Sequence, residues 1–179
     1  SYGNPDGFAR LMDCLVDAVA THLVAQIDAG CDAVQIFDSW AGALDTLSFP
    51  RWSVDPNARI VAKVREARPG VPILALPRAA GTRLAGFVEA VRPDAVSLDW
   101  SVDFEAARKV QRQVCIQGNL DPMRLVAGGE MLDEGVDAIL ANLSEGPFVF
   151  NLGHGIVPET PIAHVEQMVA RVRSGRQPA

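Results

Sequence analysis

FVFNLGHGI, residues 148–156, sets a structural element and a reactive group side by side. Phe148, Val149 and Phe150 read as a short buried strand, and the chain turns at once through Asn151, Gly153, His154 and Gly155. Such a strand delivers His154 to its carboxyl end. The flanking glycines predict tight backbone turns and open space around the imidazole, as a ligand-facing histidine requires. An isolated loop histidine more often bonds a neighbouring carbonyl and nothing else, so the reading turns on what the other strands place at their ends.

Working outward, the strand-then-helix unit recurs. Thr160 and Pro161 are read as the cap of a last helix that carries Ile162, Val165, Met168, Val169 and Val172 on its apolar face. Upstream, strand 114–117 leads through a turn from Gly118 to Pro122 into one helix carrying Met131, Leu132, Val136, Ile139 and Leu140. Strand 95–98 precedes a helix over 103–110, and strand 73–76 precedes a helix through Leu84, Phe87, Val88 and Val91. The apolar run 33–37 reads as a strand buried on both faces, followed by a helix that Asp55 and Pro56 cap and Pro69 and Gly70 close. The chain opens on an amphipathic helix from Phe8 to Ile27, with Asn4 and Pro5 as its start and Gly30 as its end.

Strands alternating with amphipathic helices specify an α/β fold with a parallel sheet. No Gly-rich phosphate loop opens any of these helices, which argues against a nucleotide-binding sheet. A closed barrel needs eight strands and typically about 250 residues. Five strands in 179 residues, after an opening helix, predict a partial (β/α)8 TIM-type barrel with its first strands absent. Residues 1–173 form that unit and 174–179 a frayed polar tail.

With 49% apolar and 21% charged residues, the composition is that of one soluble globular unit. Sixteen basic against 22 acidic residues give a net charge of −6, and no Lys/Arg stripe forms, which argues against nucleic acid and anionic membrane as partners. Arg65, Arg68, Arg78, Arg83 and Arg92 read as scattered positions on solvated faces. Cys14, Cys31 and Cys115 are odd in number and lack CxxC spacing, so they read as reduced core residues of a cytoplasmic protein. Neither a signal peptide nor a bilayer-spanning apolar run is present in the sequence.

Parallel α/β folds bind ligands at the carboxyl ends of their strands. Those ends carry Asp38 and Ser39, Pro77 and Arg78, Asp99 and Trp100, Gln117 and Asn119, then Asn151 and His154. Each has a structural alternative: Asp38 and Asp99 as helix caps, Asn119 as a turn holder, Arg78 as a solvated side chain. Their convergence on one rim favours a site. One histidine and two aspartates on different strands, with no strand-end thiolate, argue against a zinc centre. Ser39 lacks the GxSxG elbow of a serine hydrolase.

AGCDAVQIFDSWAG (29–42), LDW (98–100), QGNLDP (117–122) and FNLGHGI (150–156) closely resemble, in this order and spacing, the carboxyl-terminal half of the uroporphyrinogen decarboxylase family. The resemblance covers nearly the whole chain. It implies a barrel lyase of haem synthesis, usually a cytoplasmic homodimer, working without metal or organic cofactor. Its substrate would be uroporphyrinogen, whose four acetate side chains lose carbon dioxide to give coproporphyrinogen. By the same resemblance Ser39, the hydroxyl residue after the FD pair, and His154 of NLGHG bind substrate; the chemistry adds His154 as the catalytic proton donor, and the strand-end positions put Asp38, Asp99, Asn119 and Asn151 at the rim. The chemistry suits such residues, since decarboxylating a pyrrole acetate needs the ring protonated at carbon as an electron sink and several carboxylates held by charge-assisted hydrogen bonds.

The departures carry equal weight. The family's substrate-clamping arginines, the aspartate that receives the pyrrole N–H groups and an active-site tyrosine lie upstream of Ser1, and Tyr2 is not that tyrosine. Pro77, Arg78 and Ala79 replace a more usual lysine-and-glycine turn. The chain therefore reads as part of a decarboxylase, incomplete alone. Two other readings stand beside it: an inert half-barrel that binds a tetrapyrrole or assembles structurally, and a zinc-dependent corrinoid methyltransferase relative, whose ligands LPRAAG (76–81) does not supply.

Overall fold

Asn4 starts the first helix by accepting a hydrogen bond from Gly7 N at 2.8 Å, and Pro5 fills the first turn, where its missing N–H costs nothing. In the computed structural model, which describes residues 1–175, this helix α1 runs Pro5–Asp28 and ends at Gly30, whose φ of +105° suits glycine. The chain divides into two units, residues 1–96 and residues from 97 onward.

The first unit continues through β1 (Val34–Asp38), α2 (Asp55–Ala67), β2 (Ile73–Pro77), α3 (Leu84–Val91) and β3 (Ala95–Ser97), the last strand reaching the boundary. Its strands are parallel, with Val34 opposite Ile73 and Leu74 opposite Ala95. Ile73, Ala75, Val64 and Phe87 form a core that is almost completely buried. The second unit holds α4 (Phe104–Gln111), β4 (Cys115–Leu120), α5 (Pro122–Ala127), α6 (Gly129–Leu143), β5 (Phe148–Leu152) and α7 (Ile162–Ser174). Here β4 and β5 are parallel, with Gly118 opposite Phe150 and Asn119 opposite Asn151. Leu132, Val136 and Leu143 of α6 are buried, as are Ile116 and Leu120 of β4. The fold is thus α/β, five strands alternating with helices.

Several expectations need correction. β1 is not buried on both faces: Val34 and Ile36 are, while Phe37 is 65% exposed. The strand FVF is half-open too, with Val149 44% exposed. Asp55 does not cap α2, because a π-helical turn, Pro50–Val54, runs straight into that helix and leaves no free amide for a cap to serve. β4 extends through Asn119 into Leu120, and the helix after it is two, broken at Gly128 and Gly129, both at positive φ. Thr160 forms no cap bond to α7. The cysteines are free as read, yet Cys14 and Cys31 are exposed and Cys115 half-buried, where burial raises the thiol pKa. Helix α7 includes Ser174, and 176–179 of the expected tail lie outside the described residues. Among the described residues no helix is long and apolar enough to cross a membrane.

Candidate functional site

In the first unit, Asp38 ends β1 and turns its carboxylate toward the start of α2. Its Oδ2 accepts hydrogen bonds from Ser53 Oγ at 2.6 Å and Asn57 Nδ2 at 3.3 Å. Ser53 and Asn57 lie four apart on the helical entry, so they share a face, and Asn57 Nδ2 also donates to Ser53 O at 2.8 Å. Burial pushes the Asp38 carboxyl above its ordinary value, and hydrogen bonds from Ser53, Asn57 and the backbone N–H of Trp40 oppose that rise. Asp38 is therefore no cap. It fixes the turn from Asp38 to Trp40, and Ser39 rides on that turn, half-buried.

The loop after β2 braces the same turn. Arg78 Nη1 donates to Ser39 O at 3.5 Å, Gly42 N donates to Arg78 O at 2.9 Å, and Gly42 packs against Ala79 with no room for a side chain. Arg83 is not on a solvated face either, since it donates to Leu44 O at 2.6 Å and lies 4.2 Å over the Phe49 ring. Tyr2 donates to Asp45, which also accepts from Leu47 N and Ser48 N; this set, led by the Tyr2 bond, holds the Asp45 carboxyl down at about 2. Tyr2 is thus a structural brace.

Asp38 allows a direct check. Ser53 and Asn57 are buried, so Asp38→Ala strands their donors and is expected to cost roughly 1–3 kcal/mol. Asp38→Asn keeps an acceptor and removes the buried charge. Because the folded carboxyl titrates above the unfolded value of 3.8, the folded state holds the proton longer, and the native protein loses stability as pH rises from 3.8 through the folded pKa. The stability of Asp38→Asn relative to native should therefore rise across that window in urea melts; a constant difference would refute the assignment.

In the second unit, Asp99 and Asn119 are only 5% and 6% exposed. Asn119 Nδ2 donates to Asp99 O at 3.2 Å and Val102 O at 2.9 Å, and Asp99 Oδ1 accepts from Ser101 N at 2.9 Å and from the Ser101 hydroxyl. These bonds shape the loop 99–102, while the cap of α4 is Asp103, accepting from Ala106 N at 2.8 Å. Asn151 is exposed, and its Oδ1 accepts from Leu152 N at 2.8 Å.

His154 rests on that loop. Gly153 N donates to Leu120 O at 2.7 Å, and a Cβ at Gly153 would strike Trp100 N and lie 3.0 Å from Asp99 C. Neither glycine beside His154 has a positive φ, so Gly153 is needed for close packing and not for a turn, while Gly155 faces open space. The Trp100 and His154 rings stand 6.3 Å apart at 44°. His154 Nδ1 is buried and has no hydrogen-bond partner among the described residues. A buried polar atom without a partner is unusual, and it singles out the His154 ring as a side chain whose place packing alone does not explain.

The structure thus gathers Trp100, Asp99, Asn119 and His154 in one unit, and Asp38, Ser39 and Arg78 in the other. Sequence reading had no way to find Ser53 and Asn57, whose signal is only an i, i+4 polar pair before an apolar helix. Among the described residues no cluster of three or more His, Cys, Asp or Glu side chains could hold a metal.

The uroporphyrinogen decarboxylase family model matches residues 1–175. Similar proteins include the uroporphyrinogen decarboxylase of Brucella anthropi, 51% identical over 176 residues, 98% of this chain and 52% of that one. Those of a Chelativorans species and of Mesorhizobium japonicum are each 51% identical, over 98% and 97% of this chain and 51% of theirs. The chain spans about half the length of the curated relatives it matches. A solved structure of monomers of a dimeric phosphoribosylanthranilate isomerase from Thermotoga maritima is similar at TM-score 0.41 and 12% identity, over 87% of this chain and 93% of that one, too distant to carry an argument.

Proposed function

The chain belongs to the uroporphyrinogen decarboxylase family, and on that premise we propose that it forms the carboxyl-terminal half, residues 1–173, of a barrel that decarboxylates the acetate side chains of uroporphyrinogen to give coproporphyrinogen. His154 and Ser39 bind substrate carboxylates, Ser39 through its hydroxyl and His154 through a ring N–H. His154 also serves as proton donor to the reacting pyrrole. Asp38, Asp99 and Asn119 hold the turns that carry these side chains, and Asn151 stands at the rim. The observation that carries the reading is the buried, unpartnered Nδ1 of His154 at the end of β5.

The test is carbon dioxide release from uroporphyrinogen under anaerobic conditions, with chromatography of the porphyrin products. The chain alone is expected to be inactive, and activity is expected on adding the preceding half of the relatives' length. Turnover by the chain alone would show the upstream residues to be dispensable; silence from the combined halves would overturn the assignment.

The same reading places the protein in the cytoplasm as an oligomer. Phe37, Leu11 and Leu15 are large apolar side chains at least 46% exposed, and β1 pairs on only one side within its unit. Such an edge and face favour association. Light scattering should therefore find the isolated chain dimeric or larger at micromolar concentration, and a clean monomer would count against it.

A further inference from the structure

We infer that His164 is a positioning residue for His154: it fastens the far end of the loop that carries His154 to the same short segment, 120–129, that holds the loop's near end. The inference rests on the functional reading above and deepens it, adding a residue whose effect runs through His154.

The loop runs from Gly153, just past β5, to Pro161, which precedes α7. Its near end is held where Gly153 N donates to Leu120 O, the last residue of β4, at 2.7 Å. Further along, Thr160 N donates to Val157 O at 3.1 Å, a bond that lies beyond His154 and does not fix it. The far end depends on how α7 is seated. No residue of α7 is fully buried, so apolar burial alone does not seat it, and polar side chains do. His164, Gln167 and Arg171 stand three and four apart on one face of the helix. His164 Nδ1 lies 2.9 Å from Leu125 O and 3.1 Å from Val126 O. Carbonyl oxygens only accept, so this nitrogen carries the proton and donates to the end of α5. The ring lies against Gly128, at φ +68°, where a Cβ would collide with it. Gln167 takes both backbone groups of the next residue: Gly129 N donates to its Oε1 at 3.1 Å, and its Nε2 donates to Gly129 O at 2.9 Å. Arg171 Nε adds a bond to Asp137 Oδ1 on α6 at 2.7 Å. The segment from the end of β4 to the break after α5 therefore grips the loop's start at Leu120 and the helix that follows the loop at Leu125 to Gly129. A loop fastened at both ends to one short segment has little freedom to carry its histidine elsewhere. Cutting the far fastening displaces His154 and leaves its ring intact.

The experiment is a double-substitution cycle on kcat/KM for uroporphyrinogen in the two-half assembly. His164→Leu is expected to lower it roughly tenfold, the scale of a small displacement of a reacting group. His164→Asn, whose amide N–H replaces the Nδ1–H donor, should stay within about threefold of the native value. In a His154→Ala background His164→Leu should cost no more than about twofold, because an effect that runs through His154 vanishes with it. The full loss in that background would mark a merely structural role and overturn the inference. Full activity in His164→Leu beside a loss in His154→Ala would also overturn it and leave the functional reading standing. Full activity in His154→Ala would sink both. Should circular dichroism find His164→Leu unfolded, Gln167→Met releases Gly129 and carries the same prediction in both backgrounds.

Discussion

Gly118→Ala should destabilise the second unit by about 3–5 kcal/mol, the largest stability loss expected from any single glycine here. Gly118 adopts φ +134°, which a residue with a Cβ rarely tolerates, and an added Cβ would lie 2.6 Å from the carbonyl oxygen of Leu98. Neither neighbour can retreat cheaply. Leu98 N donates to Gln117 O at 2.7 Å, so moving Leu98 breaks a backbone bond beside a buried residue, and moving Gly118 disturbs the ladder to Phe150. Gly86 supplies the control. It lies in helix α3 at an ordinary φ with nothing near its missing Cβ, so Gly86→Ala should gain roughly 0.5–1 kcal/mol from helix propensity. Urea melts of both variants separate the cases; a loss under 1 kcal/mol at Gly118 would mean that the strand shifts more easily than its contacts imply.

What was legible in the sequence follows from the range of the forces involved. Asn4 acts on an amide within three residues of itself, so its cap could be read directly. The α/β alternation was equally legible, because hydrophobic period is a local property. Asp38 was not legible, because its partner Ser53 lies 15 residues on and nothing local distinguishes a cap from a tertiary acceptor. The apolar run predicts an end of β4 at Gln117, but the ladder to β5 continues through Asn119 and Asn151 because backbone pairing is indifferent to side-chain polarity. Periodicity also tells which faces are apolar without telling what covers them, and so it predicts Phe37 and Cys14 in a core they do not occupy. The site shows the same division. His154 could be found from its motif, whereas the contact of Gly153 with Trp100 depends on two strand ends meeting in space.

His154→Ala should lower kcat/KM for uroporphyrinogen by roughly 10²–10⁴-fold in the two-half assembly, the range for loss of a positioned proton donor. Its effect on stability should be small, and that makes the result interpretable. Nδ1 makes no hydrogen bond among the described residues, so truncating the ring strands no partner of that atom and even removes a buried polar atom left unsatisfied. Lost activity would then be chemistry and not unfolding. His154→Gln separates the two roles assigned to the imidazole. An amide can donate a hydrogen bond to a carboxylate but cannot give up a proton, so the variant should recover substrate binding while the catalytic rate stays low. Gly153→Ala approaches the same residue from behind: the imidazole remains, but its backbone must move off Trp100 N, so activity should fall although every polar group is present. Full activity in His154→Ala would remove His154 from the mechanism. Full activity in Gly153→Ala would show that the close backbone contact stabilises the loop without aiming the ring, and recognition would then rest on Ser39 and the upstream half.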